Sequence, residues 1–542
     1  MADRTDLAEG TAQPPVIASE SCSAGCVLHD RLVTVAMLLL LAALAWRSIN
    51  YVTPTAPGKD SSLYVSETKH LMAGRVLYRD LWQQRMPMIY IVNYAGMCLG
   101  DGTLDSVRFL ERFFAVGAVL LMFGTVLYAL GSRWLALLAS MLFLIHQYSP
   151  NVFQGGNLTE EYGIVFALGA VWALIAARRA AGRRAAVLCF LAGLLLSLAA
   201  LTKEPLLLPA FPWFLYGVAF RGDGWKNICS RVALTVAGAA IPLGMLVAYL
   251  VANNAFAGFV DVLSFNFSFA ASGSKGSLLG KLHDGVAKLE FLLNTSLIAS
   301  RLMFAFGLIS LFHRPFLRRT GYVAVPAIGS TVLGLGAAFL GWRFFQHYFM
   351  MFIPFFVIVS ACGVALAVDL LSGLVASRRK VAAAVAMMVV ILDGGNLFSC
   401  VKRLAAPTAS RYPRHEFTPL VLRYTQPDEP IYCLSGNTFA LYAETGRLCP
   451  YKQVAVNKAS FRSSYASTRE QKMERFRADL RGRPPSLITL DEHTTELLEE
   501  YLAGWLEKHY RHVATSSDGR DTVWLRRDRP FTQDSQDEDA GT

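Results

Sequence analysis

The chain has 542 residues, of which 54% are hydrophobic and only 17% are charged, and its mean hydropathy is +0.38. A soluble globule carries roughly 25% charge, so water is excluded as the solvent of most of this surface and lipid bilayer takes its place. The net charge of +11 does not point to nucleic acid. The basic residues form short clusters between apolar runs (Arg178/Arg179/Arg183/Arg184, Arg314/Arg318/Arg319, Arg378/Arg379/Lys380), with no continuous basic face interleaved with aromatics.

Residues 1–30 are polar and small and read as a disordered cytoplasmic N-terminus without a cleavable signal peptide. The first apolar span covers 32–49. Others follow near 109–129, 134–148, 161–177, 186–201, 204–220, 232–251, 291–311, 321–340, 346–367 and 381–399. Each approaches the length needed to cross a hydrocarbon core of about 30 Å, where a helix satisfies every backbone polar group. The expectation is an α-helical polytopic membrane protein, with about eleven transmembrane helices over residues 31–400.

With the N-terminus in the cytoplasm, alternation puts Arg133, the 178–184 cluster, Arg221/Lys226/Arg231, the 313–319 cluster and the 378–380 cluster inside. Loops 50–108 and 252–290 and the tail after 400 then lie outside, as do two isolated cations, Lys203 and Arg343. Within the first of these loops, 88–100 is apolar but too short to span and suits the interface. Ser272–Ser277 is rich in glycine and serine and reads as flexible.

Residues 401–530 read as a small periplasmic α/β domain. Strands are expected at Ile431–Leu434, Ser486–Leu490 and 522–527, and helices at 437–446, 466–482 and 493–510. Residues 531–542 read as a disordered tail. The nine cysteines include no CxxC pair, and a periplasmic location would allow Cys433 and Cys449 to form a disulfide. No repeated halves with broken helices are visible, which weighs against a transporter.

Chemistry-bearing residues gather on the outer side. Asp60 opens Asp60-Ser-Ser-Leu-Tyr64, soon after the first span. Gly74-Arg75-Val76-Leu77-Tyr78-Arg79-Asp80-Leu81-Trp82 follows, and then Pro87. Taken alone, an acid in an outer loop is most often solvated surface. The longer pattern resembles the first periplasmic loop of the GT-C glycosyltransferases, in the branch of the protein O-mannosyltransferases, the lipid A aminoarabinose transferase and the rhizobial galacturonosyltransferases. Spans and loop order are similar over about residues 30–400, while the residue-level match is confined to a few segments. The resemblance implies a GT-C fold, with Asp60 as a catalytic residue and Tyr64, Tyr78, Arg79 and Asp80 in support.

Three further segments carry the likeness. Asn157-Leu158-Thr159-Glu160-Glu161-Tyr162 offers a second acid, with Glu160 preferred over Glu161. The alternative is an acid placed only to satisfy a helix N-terminus. In Thr202-Lys203-Glu204-Pro205, Lys203 meets a phosphate, reaches the headgroups or pairs with Glu204. In Arg343-Phe-Phe-Gln-His347-Tyr348, Arg343 and His347 would share one face of a continuing helix and turn to one anion, flanked by Tyr348.

Other active-site signatures are missing. Asp101 and Asp105 lack the one-residue spacing of a metal-binding Asp-x-Asp, and there is no Walker loop, no GxGxxG and no GxSxG elbow.

Nucleotide sugars are made in the cytoplasm, so an outward-facing transferase needs a donor that crosses the bilayer. The resemblance implies a polyprenyl-phosphate sugar, passed to an envelope glycan, lipid or protein at a bacterial inner membrane. Asp60 then acts as general base, and Lys203, Arg343 and His347 receive the phosphate charge. A divalent cation between acid and phosphate is compatible with this site, although no ligand set requires one. The rival expectations are a lipid-linked glycan transporter or flippase, and a non-catalytic envelope-assembly protein.

Overall fold

The computed structural model describes residues 24–49, 58–218, 224–271, 277–372, 394–405, 414–455, 474 and 476–530. The expectations for residues 1–23, 272–276, 381–393, 466–473 and 531–542 lie outside these. In chain order the helices of the apolar region are α1 (Ala24–Ser48), α2 (Lys59–Met72), α3 (Met88–Cys98), α4 (Leu104–Leu130), α5 (Arg133–Gln147), α6 (Pro150–Phe153), α7 (Thr159–Arg179) and α8 (Gly182–Thr202). After them come α9 (Leu207–Val218), α10 (Trp225–Ala252), α11 (Phe256–Ala271), α12 (Leu278–Thr295), α13 (Ile298–Ile309), α14 (Arg314–Arg319), α15 (Ala324–Phe339) and α16 (Ile353–Ser372).

Every expected apolar run up to 346–367 carries helix. Among the described residues six helices are long and apolar enough to cross a membrane unaided: α1, α4, α7, α8, α10 and α16. A seventh crossing forms if α12 and α13, bent by 110°, make one broken span. The expected runs 134–148, 204–220 and 321–340 form helices of 15, 12 and 16 residues. Proline marks where the shortest begins. Pro205 sits in a 3-10 turn, Glu204–Leu206, ahead of α9, and Pro212 removes a donor inside it. Large apolar side chains stay exposed along α10 (Val236, Ile241, Met245, Val247) and α13 (Phe306, Ile309), as lipid-facing surface requires. The chain is an integral membrane protein.

Small residues let the helices approach. A Cβ on Gly193 of α8 would stand 1.8 Å from the Thr235 carbonyl oxygen, and one on Gly238 of α10 would stand 2.0 Å from that of Phe190. Such contact is how helices associate where lipid provides no hydrophobic driving force. At one end of the bundle, Arg133 Nη2 lies 2.6 Å from Asp30, and Arg178 stacks 4.0 Å over Tyr216. Arg319 pairs with Asp369, and Tyr216 Oη donates to Gly321 O at 2.7 Å. The α2–α3 loop and the C-terminal domain occupy the opposite end.

That domain contains a four-stranded sheet, β1 (Ile431–Cys433), β2 (Leu487–Asp491), β3 (Tyr510–Thr515) and β4 (Asp521–Arg526), in the order β1-β2-β4-β3. β1 and β2 are parallel; β4 runs antiparallel to both β2 and β3. The expected 493–510 helix divides into Glu492–Leu502 and Trp505–His509 around Gly504, whose φ of 67° ends the first piece. β3, which follows directly, has no counterpart among the expected strands. Cys433 and Cys449 are buried free thiols, not a disulfide, and burial pushes both up to about 12.

The domain is tied to the first loop by hydrogen bonds as well as apolar packing. Leu81 of the loop is buried in the domain core. Ser66 Oγ donates to Phe439 O at 2.6 Å, Arg75 Nη1 to Tyr451 O at 3.0 Å, and Trp82 N to Lys452 O at 2.9 Å. His70 sits between the two parts. Its Nδ1 lies 2.7 Å from Ser66 O and its Nε2 accepts from Cys449 N at 2.8 Å, which assigns a neutral ring protonated on Nδ1.

Burial pushes the His70 pKa down to about 4 from its ordinary value of 6.5. Between those values the undocked state binds more protons than the docked one. The stability that neutral His70 contributes is therefore complete above pH 6.5 and is lost as pH falls towards 4. Acidification across that window is expected to raise amide exchange at Cys449, whose N–H donates to His70, and to expose the domain to protease. A His70→Gln variant should flatten this dependence, and a profile unchanged by the substitution would contradict the assignment.

Candidate active site

The helical repeat of α2 puts Asp60, Tyr64 and Glu67 on one face, four and three residues apart. Asp60 lies in the first turn, where an acid also suits the helix dipole. Opposite this face stands Arg85, which the sequence reasoning missed. Its Nε donates to Tyr64 Oη at 2.9 Å, and its Nη2 lies 3.8 Å from Asp60 Oδ1. The Arg85 carbonyl accepts from Tyr78 Oη at 2.9 Å, and Tyr78 holds a left-handed φ of 67°. A lone arginine two residues before Pro87 was the only hint in the sequence. Deeper on the same face, burial pushes the Glu67 carboxyl well above the usual carboxylate range, next to Tyr90.

The second half of the site comes from three helix ends. Glu160, in the first turn of α7, is 1% exposed, and its Oε1 lies 2.8 Å from Lys203 Nζ. Thr159 Oγ1 donates to Glu160 Oε2 at 2.8 Å. Lys203 caps the C-terminus of α8 in extended conformation, and its ammonium stands 4.5 Å above the Tyr348 ring. The observed ion pair is thus with Glu160, not with the neighbouring Glu204. His347 is buried, with Nδ1 2.7 Å from Gln154 Oε1 and its ring edge-on to Tyr348 at 4.9 Å. Asp60, Glu160, Lys203 and Arg85 all act electrostatically on His347, and Tyr348 acts on Arg85. Two acids and two strong cations therefore lie within electrostatic reach of His347.

The remaining candidates separate. Successive helical residues diverge by about 100°, so Glu161 turns away from Glu160 towards Glu111 and Arg108. Glu111 there accepts from Asn157 N at 2.5 Å and fixes the loop that carries Gln154. Arg79 and Asp80 pair with each other at 2.8 Å on the exposed side of the loop. Asp80 also accepts from Val76 N at 2.9 Å, and the Arg79 guanidinium holds its carboxyl down to about 2. They brace the turn that presents Tyr78.

The helix on which Arg343 and His347 would share a face does not form. Trp342 and Phe344 adopt φ of 53° and 48°, and helix resumes only as the 3-10 turn Gln346–Met351. Aromatic packing wins over helix continuation here. Phe344 sits edge-on to Phe339 at 5.0 Å, and a Cβ on Gly285 would stand 2.6 Å from its ring. Among the described residues no group of three or more His, Cys, Asp or Glu side chains is placed to hold a metal ion.

No protein-family model and no curated protein matches the sequence. Solved structures do. ArnT from Cupriavidus metallidurans bound to undecaprenyl phosphate superposes with a TM-score of 0.56 at 16% identity, over 93% of this chain and 98% of that one. The same protein in the apo state gives 0.53 at 14% identity, over 92% and 98%. ArnT is similar to this chain in the helical bundle and the terminal α/β domain alike, and the chain has the fold of the GT-C membrane glycosyltransferases.

Proposed function

We propose that the protein is a glycosyltransferase. It moves a sugar from a polyprenyl-phosphate donor to a hydroxyl of an envelope acceptor (lipid A or core, another glycan or a protein) at the periplasmic face of a bacterial inner membrane. The observation that carries this reading is the convergence of Asp60 and Arg85 from the first loop with Glu160, Lys203 and His347 from three helix ends. Support also comes from the fold shared with a protein solved with undecaprenyl phosphate bound.

The acceptor oxygen attacks the anomeric carbon as the bond from that carbon to the phosphate oxygen breaks, with inversion. The hydroxyl proton passes to the Asp60 carboxylate. The departing polyprenyl phosphate gains one negative charge, which Lys203 and Arg85 receive together with His347. Glu160 holds Lys203 in place between turnovers, and the Tyr348 ring limits its swing. Two rigid cations fixed before the charge develops cost little reorganisation when it appears.

Asp60→Asn nearly preserves volume and removes the base. It is expected to lower transfer by about 10²- to 10⁴-fold while insertion and abundance stay normal, measured as consumption of a radiolabelled polyprenyl-phosphate sugar by purified protein. Full turnover in this variant would remove Asp60 from its role, and movement of donor without consumption in the native protein would favour a transporter.

Lys203→Gln leaves a buried carboxylate unpaired and should cost stability as well as donor use. The double variant Lys203→Gln/Glu160→Gln should recover the melting temperature but not the donor KM. Recovery of both would make the pair purely structural.

A further inference from the structure

The loop between α6 and α7 turns through four successive residues of positive φ: Gln154, Gly155, Gly156 and Asn157, at 49°, 91°, 81° and 54°. Glycine has no Cβ to clash there and asparagine tolerates the region, but a glutamine backbone is strained in it. The side chain, not the backbone, therefore accounts for Gln154. Its Nε2 donates to Gln346 Oε1 at 3.1 Å, which turns its Oε1 to His347 Nδ1 at 2.7 Å. The turn is pinned from below. Arg108 Nη2 donates to Gly155 O at 3.1 Å, and a Cβ on Gly156 would stand 2.2 Å from Glu111 Oε1. It also touches the start of α2, since a Cβ on Gly58, two residues before Asp60, would stand 3.0 Å from Gln154 O.

This contact decides which ring nitrogen is left for a ligand. An amide oxygen only accepts, so Nδ1 carries the proton and Nε2 is the remaining nitrogen of His347. Among the described residues Nε2 has no hydrogen-bond partner. The ring is clamped in this orientation, stacked on Phe345 at 5.7 Å with an interplanar angle of 4° and edge-on to Tyr348. Burial holds its pKa below the ordinary 6.5, Lys203 and Arg85 add to that effect, and Glu160 and Asp60 oppose it. These four groups come from the end of α8, the first loop, α7 and α2. The helices α6 and α15, which also pack on this turn, carry no ionisable side chain. In α16, Cys362 is buried with Phe316 and Asp369 pairs with Arg319, both at the far end of the bundle. The free ring is thus neutral at neutral pH. A neutral Nε2 turns a lone pair to a phosphate oxygen, whereas a protonated one offers it an N–H.

We propose that Gln154 is a positioning residue: it holds Nδ1 of His347 as a hydrogen-bond donor, so that Nε2 takes up a proton when the sugar donor's phosphate binds and gives that phosphate an N–H. The proton comes from water and returns to it when the polyprenyl phosphate leaves. That the phosphate belongs to a sugar donor rests on the transferase reading; the proton uptake does not. The liganded protein then holds more protons than the free one. Affinity for a phosphodiester therefore falls as pH rises from the range of the free ring, below 6.5, to that of the bound ring, by up to about tenfold per pH unit.

The test uses the full chain in lipid nanodiscs with undecaprenyl methyl phosphate, a diester whose own charge does not titrate. Calorimetry in two buffers of different ionisation enthalpy counts the protons taken up across about pH 5 to 8. The native protein should take up at most about one proton per diester, and His347→Gln none. Gln154→Glu puts a carboxylate on Nδ1, charges the ring before the ligand arrives and should move the uptake to higher pH. Gln154→Gly eases the backbone, so the melting temperature should hold while the diester binds about tenfold more weakly. Absence of uptake in the native protein, or a pH profile that neither Gln154 variant moves, overturns the inference. A lowered melting temperature with unchanged uptake in Gln154→Gly would leave Gln154 a purely structural residue. Donor consumption on the same samples keeps the two readings apart. Uptake without consumption leaves Gln154 its role and defeats the transferase, whereas consumption without uptake defeats the positioning role alone.

Discussion

A lysine at the end of an apolar helix cannot be left alone in a low-dielectric setting, and the site is organised around that fact. Lys203 ends α8 and Glu160 begins α7, so the two antiparallel helices bring opposite charges to the same end, with Nζ and Oε1 2.8 Å apart. Each charge also lies at the helix terminus whose dipole favours it. Breaking one member of such a pair typically costs several kcal/mol, because the other charge stays buried and unpaired. The pair therefore fixes the relative height of α7 and α8, and the ring of Tyr348 is seated against the same ammonium.

The first loop repeats this arrangement with different parts. Asp60 and Tyr64 share a face of α2 and meet Arg85, whose own carbonyl is held by Tyr78. Long polar loops do not keep such geometry unaided, since ordering each residue costs backbone entropy. Here the C-terminal domain supplies the compensation: Leu81 is buried in its core, and Ser66, His70, Arg75 and Trp82 are hydrogen-bonded to it. Its packing positions the loop, and through the loop, Arg85.

Two neighbouring glutamates show how finely helix rotation sorts function. Glu160 pairs with Lys203 and, like Asp60, acts on His347, while Glu161 looks back at Glu111 and Arg108. Glu111 in turn anchors Asn157, whose side chain exchanges hydrogen bonds with Asn93 at 2.9 and 3.0 Å. This inner network sets the 154–157 loop, from which Gln154 reaches His347. Glu161 thus lies behind the site, on the side that supports it.

The hydropathy of the chain and the order of its apolar runs determined that it is a membrane protein with a long first loop and an α/β domain at the end. These are local properties, because transfer to lipid is decided residue by residue along each segment. The sequence also singled out Asp60, Glu160 and Lys203, since a charge beside an apolar span is conspicuous by its cost. Only the tertiary structure decided which charges meet. Arg85 hides in an ordinary loop until α2 comes to face it, Glu160 parts from Glu161 only when α7 is rotated against α8, and Arg343 loses its helix to the packing of Phe344 on Phe339. Partners drawn from separate helices depend on rotation, register and the close approach that small residues allow. No single segment encodes those relations, because they arise when several segments compete for the same volume.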